Sequence, residues 1–182
     1  MDALHDRFPA LAKAALPAGQ HPAYDRIEQR RGRIPAPFAP LLASPDVAEA
    51  FDRLSETLQH GTLPAVVREA VFLITARQHR CAYLWMNHRG KASQAGLDEA
   101  AQSALGRGAL PAGPANVVAA ARLVHALHAD HRVPQPVYDE AVQALGVRGV
   151  VELTAFCGFS ASVAMLLNLR QPDLPAGAPP PF

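Results

Sequence analysis

At 182 residues and 19.4 kDa the chain has the size of one domain, or one domain with arms. Hydrophobic residues make up 49% and charged residues 18%, which excludes disorder for the bulk of it, and a formal charge of +1 leaves no basic excess to neutralise a nucleic-acid backbone. Two cysteines, Cys81 and Cys157, cannot make a disulfide framework, so a reducing cytoplasm is the expected compartment.

The first residues, Met1 to Ala10, carry Asp2, Asp6 and Arg7 and no apolar stretch, unlike a secretory signal. Seven of the seventeen prolines fall between Pro9 and Pro45, so residues 1–43 read as a Pro-rich arm. Ser44 is placed to cap the first clear helix, with Pro45 in its first turn and Asp46 at the positive dipole end; it should run to about His60 and stop at Gly61. Pro64 starts a helical stretch that lasts to Ala95 and ends at Gly96. Asp98 opens a short helix ending near Gly106 and Gly108. Pro114 opens another to about His131, and Pro136 a further one broken at Gly146. The last helix runs from Val147 to Leu169 and is apolar on nearly every side, so part of its surface should be covered by another subunit. Residues 171–182, with five prolines, should be disordered or laid across a partner. No alternating strand pattern occurs and 36 alanines favour helix, so the chain reads as all-α, about seven helices, in one domain with its helical core at 44–170. The longest apolar runs are too short for a bilayer, and no membrane partner is expected. Fifteen arginines against two lysines, with abundant Ala and Pro, suit a bacterium with a GC-rich genome.

The segment from Arg68 to Ala95 carries the chemistry. At about 100° per residue from Cys81, Leu84 falls near −60°, Trp85 near +40°, His88 near −20° and Arg77 near −40°, so they share one stripe. On the same count Glu69 falls near −120°, and it joins only if the chain bends before Cys81. A thiol beside an imidazole is a candidate nucleophile and base, although a free Cys and a lone His are also ordinary core residues.

Glu69, then Cys81 twelve residues on, then His88, with Tyr83 and Trp85 between, resembles the carboxymuconolactone decarboxylase family, which includes the alkyl hydroperoxidase D-like proteins. In the peroxidase branch a second Cys stands where this chain has Leu84; in other members a Glu of a Tyr-Glu-Trp-x-x-His string stands there. The likeness continues in Ala92, Gly96-Leu97 and the stretches Val151-Glu152-Leu153-Thr154 and Leu167-Asn168, and covers roughly residues 33 to 170. It implies an all-α alkyl hydroperoxidase D-like bundle that assembles as a dimer, trimer or hexamer. It also implies a break near Gln78 to Arg80, which no Gly or Pro marks, turning Glu69 toward the pocket and starting a helix at Cys81, where the dipole favours a thiolate. Glu69, Cys81 and His88 are then the candidate catalytic residues. Tyr83, Leu84, Trp85 and Arg77 are candidates for binding substrate.

Leu84 excludes an intramolecular dithiol cycle at this motif. Three readings follow: a cofactor-free lyase or decarboxylase moving protons with Glu69 and His88 on a small carboxylated or lactone substrate held by Arg77 or Arg80; a one-Cys hydroperoxide reductase using Cys81; and a small-molecule-binding member without turnover. No metal is expected. His125, His128 and His131 at i, i+3 and i+6 diverge by about 120° from first to last. Gly106, Gly108 and Gly113 are helix stops, Arg30, Arg31 and Arg33 a solvated basic run with an anion or acidic-partner contact as the lesser alternative, and Glu152 a buried acid bonded to a neighbouring helix.

Overall fold

A computed structural model describes residues 6–9, 12–174, 176–177, 180 and 182; the expectation for Met1 to His5, Ala10 and Leu11 lies outside them. Among the described residues there are eight α-helices and no strand: α1 His21–Arg31, α2 Phe38–Leu41, α3 Pro45–Gln59, α4 Ala65–Gln78, α5 Ala82–Gln94, α6 Glu99–Gly106, α7 Ala115–Ala129 and α8 Gln135–Arg170. Helices α3, α4, α6, α7 and α8 start where caps and prolines place them, and α4 and α5 divide where the resemblance implies a break. Asp98 caps α6 by accepting the Ala101 amide at 2.7 Å, whereas Ser44 stands at the cap of α3 without a side-chain hydrogen bond. Gly146 takes φ 72°, ψ 165°, a conformation open to glycine, and divides α8 at the predicted point.

The arm before α3 holds more structure than its prolines suggest. Two 3₁₀ turns lead into α1, whose Ala23 and Ile27 are buried with Phe38, Leu41, Leu42 and Ala48 in a small second core. Arginines fasten it to the bundle. Arg30 and Arg31 both donate to the buried Asp52 of α3, Arg31 at 2.5 Å. Arg170, at the end of α8, donates to both oxygens of Asp6 at 2.9 to 3.2 Å and to the carbonyl of Ala36 at 2.9 Å.

Helix α4 is the centre of the main core, packed against α5, α6, α7 and α8. Val67, Val71, Leu73 and Ile74 are almost fully buried, each burial stabilising by roughly 1.5–3 kcal/mol. The buried Thr75 hydroxyl is satisfied by Ser160 of α8 at 2.8 Å. Helix α8 is long and apolar enough by length and composition to cross a membrane, which corrects the expectation that no run reaches that length; half of its apolar window is buried inside the molecule, as in a core helix. Its outer face leaves Val147, Val151, Met165 and Leu169 exposed. The described part of the segment after α8 lies against this same chain: the ring of Phe182 meets Trp85 edge-on at 5.5 Å.

Candidate active site

The site is made by the turn between α4 and α5. Gln78 ends α4, and Arg80 takes a left-handed φ of 49°. The amide of Cys81 still reaches back to Ala76 O at 2.8 Å, and Cys81 becomes the N-cap of α5. The carbonyl of His79 is held by the Asn168 amide of α8 at 2.8 Å. The chain therefore breaks at the expected place without Gly or Pro, and α5 folds back along α4.

That reversal brings Glu69 of α4 to His88 of α5. Glu69 Oε2 and His88 Nδ1 are 2.7 Å apart. With Nδ1–H donating to the carboxylate, Nε2 keeps a lone pair for a proton. The ring of Phe72 lies over the imidazole, centroids 3.9 Å apart at 31°. Burial holds the His88 pKa below its ordinary 6.5, and the hydrogen bond and charge of Glu69 only partly offset this, so the imidazole is neutral near pH 7.

Both residues line a cavity of about 440 Å³. One wall is apolar: Phe38, Phe72, Leu84, Phe156, Phe159 and Leu167. The other carries Arg31, Arg33, Arg68 and Lys91, with Glu69 the one carboxylate in the lining. Arg31 is matched by Asp52 and Glu56, and Arg68 donates only to the Leu63 carbonyl. Arg33 and Lys91 are exposed and form no ion pair among the described residues. The lining thus has a surplus of positive charge beside a proton-transfer pair.

Of the residues singled out in the sequence, Glu69, His88, Tyr83 and Leu84 line this cavity and Cys81, Trp85 and Arg77 do not. The stripe facing it is Leu84, Asn87, His88 and Lys91, rotated away from Trp85. Arg77 is turned to α6, where its Nε donates to Gly106 O at 3.0 Å and its guanidinium sits where a side chain at Gly108 would fall. It is a structural anchor, and Arg80, in the exposed turn, is not in the lining either. Arg31 and Arg33, from the run with an anion contact as its lesser alternative, do line the cavity, a position that local pattern does not give because they come from the arm. The run Arg30, Arg31, Arg33 was visible, but only the fold turns part of it inward.

Cys81 is 1% exposed. Burial pushes its thiol up to about 11, although the Leu84 backbone N–H at the start of α5 pulls the other way; desolvation wins over the helix terminus. Cys157 is likewise buried and pushed up to about 11 by burial, with its sulfur 3.4 Å from His128 Nε2. Both cysteines are free. His128 also meets the ring of His79 at 5.9 Å, and no group of three or more His, Cys, Asp or Glu among the described residues is placed to hold a metal ion. Glu152 is not the buried acid expected. Its carboxylate accepts from the backbone N–H (2.5 Å) and hydroxyl (2.7 Å) of Thr62 and from Arg148, pinning the turn between α3 and α4.

No family model and no curated protein matches the chain. Solved structures do. The apo debrominase Bmp8 superposes with a TM-score of 0.72 at 16% identity, covering 96% of this chain and 95% of that one. The alkylhydroperoxidase AhpD core of a peroxidase-related protein from Ralstonia eutropha JMP134 gives 0.72 at 19% identity, covering 92% of each. A cysteine-to-alanine variant of Bmp8 in complex with 2,3,4-tribromopyrrole gives 0.66 at 15% identity, covering 96% and 95%. At such identities the likeness extends to the backbone, and on that ground the chain has the alkylhydroperoxidase D-like fold.

Proposed function

We propose that the chain is a cofactor-free acid–base enzyme, lyase- or decarboxylase-like, acting on a small carboxylated or lactone substrate. The observation that carries this reading is the Glu69–His88 pair, 2.7 Å apart in the wall of a cavity whose lining is cationic and from which Cys81 is absent. Arg33, Lys91 and Arg68 would hold the anionic group, and the phenylalanine wall would take the carbon skeleton. In a decarboxylation the bond to the leaving carboxylate breaks, CO₂ departs, and the electron pair passes into a conjugated carbonyl. His88, having taken a proton from solvent, delivers it to the carbanionic carbon. Glu69 orients the ring and stabilises the imidazolium.

The test is a panel of small carboxylates and lactones followed for CO₂ release and absorbance change. Turnover that falls by at least about 10²-fold in both Glu69→Gln and His88→Gln supports the reading. Turnover insensitive to both overturns it. Stabilisation by these compounds with no product would make the chain a binding member.

A second reading is a one-Cys hydroperoxide reductase. The Leu84 N–H directed at the Cys81 thiol favours it, and one structural neighbour is described as peroxidase-related. There the thiolate takes the terminal peroxide oxygen, the alcohol leaves, and an external thiol reduces the sulfenic acid. Peroxide consumption abolished by Cys81→Ser would favour it over the first.

We also infer self-association as a homo-oligomer. The exposed Val147, Val151, Met165 and Leu169 fall at helical spacing on α8, with the small Gly158 between them facing open space. Two buried free cysteines fit a reducing, cytoplasmic setting.

A further inference from the structure

His88 Nδ1 is committed to Glu69 and one face of its ring to Phe72, so a proton can be added only at Nε2. The charged groups that share the cavity with it are few. Helix α4 brings Glu69 and Arg68, the arm Arg31 and Arg33, and α5 Lys91 with the phenol of Tyr83. Helix α3 adds only neutral groups, and α8 only apolar side chains. Burial is the first reason the ring sheds its proton; of the charges, Glu69 favours the proton and Lys91 opposes it. The spacing accounts for Lys91. It stands three residues beyond His88 on α5, so the two side chains are neighbours on the face that lines the cavity, about 5–6 Å apart at Cβ. A long helical side chain leans toward the N-terminus of its helix, which carries the ammonium back over the turn that holds His88. Glu69 already has a partner in His88, whereas Lys91 forms no ion pair among the described residues. The apolar wall from α8 keeps the local dielectric low, so a charge placed against Lys91 is felt at the ring.

We propose that a small carboxylate seated against Lys91 draws a proton from solvent onto His88, so that the charge of the ligand itself loads the acid. The carboxylate stays ionised. Lys91 gains a counter-charge, its repulsion of the imidazolium falls, and Nε2 takes up the proton, so the anion and one proton bind together. A neutral molecule in the same cavity does the reverse, because it dries the ring without adding charge. The coupling rests on the acid–base reading of this cavity, and it accounts for how a ring held neutral near pH 7 acquires the proton it must deliver.

The test uses the full chain and needs no turnover. Lys91 is exposed, so its variants should fold. The protein, Lys91→Met, Lys91→Arg and a His88→Gln control are titrated with acetate and benzoate at about pH 6 to 7, where both are ionised, and with benzamide as the uncharged match. Calorimetry in buffers of different ionisation enthalpy reads the protons taken up per ligand bound. Proton NMR follows the His88 ring, identified by its loss in His88→Gln. The parent and Lys91→Arg should take up a fraction of a proton with each carboxylate, so affinity rises as pH falls, by at most about tenfold per pH unit. Benzamide should bring none. In Lys91→Met the empty site should hold the His88 proton to higher pH, and uptake per carboxylate should fall to about half or less. Undiminished uptake in Lys91→Met or in His88→Gln overturns the coupling. So does a parent that binds the carboxylates without a proton, or that binds neither of them. Proton uptake in a protein that turns over no substrate leaves the coupling standing while the lyase reading fails, and turnover without uptake does the opposite.

Discussion

Glu69 and His88 are nineteen residues apart in the chain and 2.7 Å apart in space, on two helices that run back along one another. The carboxylate fixes the ring nitrogen nearer to it as the protonated one, and burial keeps the imidazole neutral. Because His88 delivers its proton as the imidazolium, the activity should show an alkaline limb, falling as pH rises, displaced below the ordinary imidazole range. In Glu69→Gln that limb should move further down and kcat fall, because the imidazolium loses its counter-charge. A pH–rate profile of parent and variant checks both.

Arg33 and Lys91 should matter for binding more than for chemistry. Each lines the cavity without an ion pair among the described residues, so neither has a salt bridge there to lose. Arg33→Ala and Lys91→Ala should each raise KM for an anionic substrate by roughly 5- to 30-fold and leave thermal unfolding unchanged, since an exposed charge-assisted contact is worth about 1–2 kcal/mol. Paired KM and melting measurements read this out.

The clamp between arm and bundle should be costly to break. Arg170 is nearly buried and serves Asp6 and the Ala36 carbonyl together. Arg170→Met should lower stability by about 2–3 kcal/mol in urea titration, because it takes the guanidinium from the Asp6 carboxylate and the donor from the Ala36 carbonyl. Since Ala36 lines the cavity, ligand affinity should fall in the same variant.

Acid sensitivity should have two parts. Hydrogen bonds from Thr62 and Arg148 hold the Glu152 carboxyl down to about 2, from an ordinary 4.5. Its folded pKa is depressed, so its contribution is complete above pH 4.5 and is lost as pH falls through that range toward 2. His88 is also depressed, from 6.5, so the unfolded chain takes up its proton first and stability falls as pH drops below 6.5. Burial also lowers His79, His125 and His128 from 6.5, so Glu152→Gln should flatten the lower step while His88→Gln should reduce the upper one without abolishing it, measured by denaturation across pH.

The exposed face of α8 predicts assembly. Val151 is 63% exposed. Val151→Glu should shift the molecule toward monomer in sedimentation velocity with its helix content intact; a chain already monomeric at high concentration would remove the inference.

Much of this was legible in the residues. Pro45, Pro64, Asp98, Pro114, Pro136 and Gly146 mark boundaries because each acts on its own backbone, and five of the helices follow from them. The pairing of Glu69 with His88 came from spacing, by way of a resemblance. Periodicity alone put Glu69 off the stripe and put Trp85 and Arg77 on it. It could not do better, because the phase is reset at Arg80, where no Gly or Pro announces a turn. Helix α1 was hidden by prolines that in fact flank it, and the inward-facing cations by a run that reads as solvated loop. Cys81 is buried in the main core, whose members come from helices far apart in the chain, and no local pattern carries that.

The left-handed residue at Arg80 sets a rule for how this chain can change. Were α4 and α5 one helix, Glu69 and His88 would stand roughly 28 Å apart along its axis and about 100° out of phase. The turn of residues 79–81 cancels both offsets at once, and it does so by its length rather than by what its side chains touch. Arg80 points to solvent and its identity is free within what a left-handed backbone tolerates. One residue more or fewer there would turn the whole of α5 by about 100° and carry His88 away from its carboxylate. The strictest demand on this chain is thus a count, and it falls on a turn whose exposed residue, Arg80, can change while Cys81 beside it is held in the core.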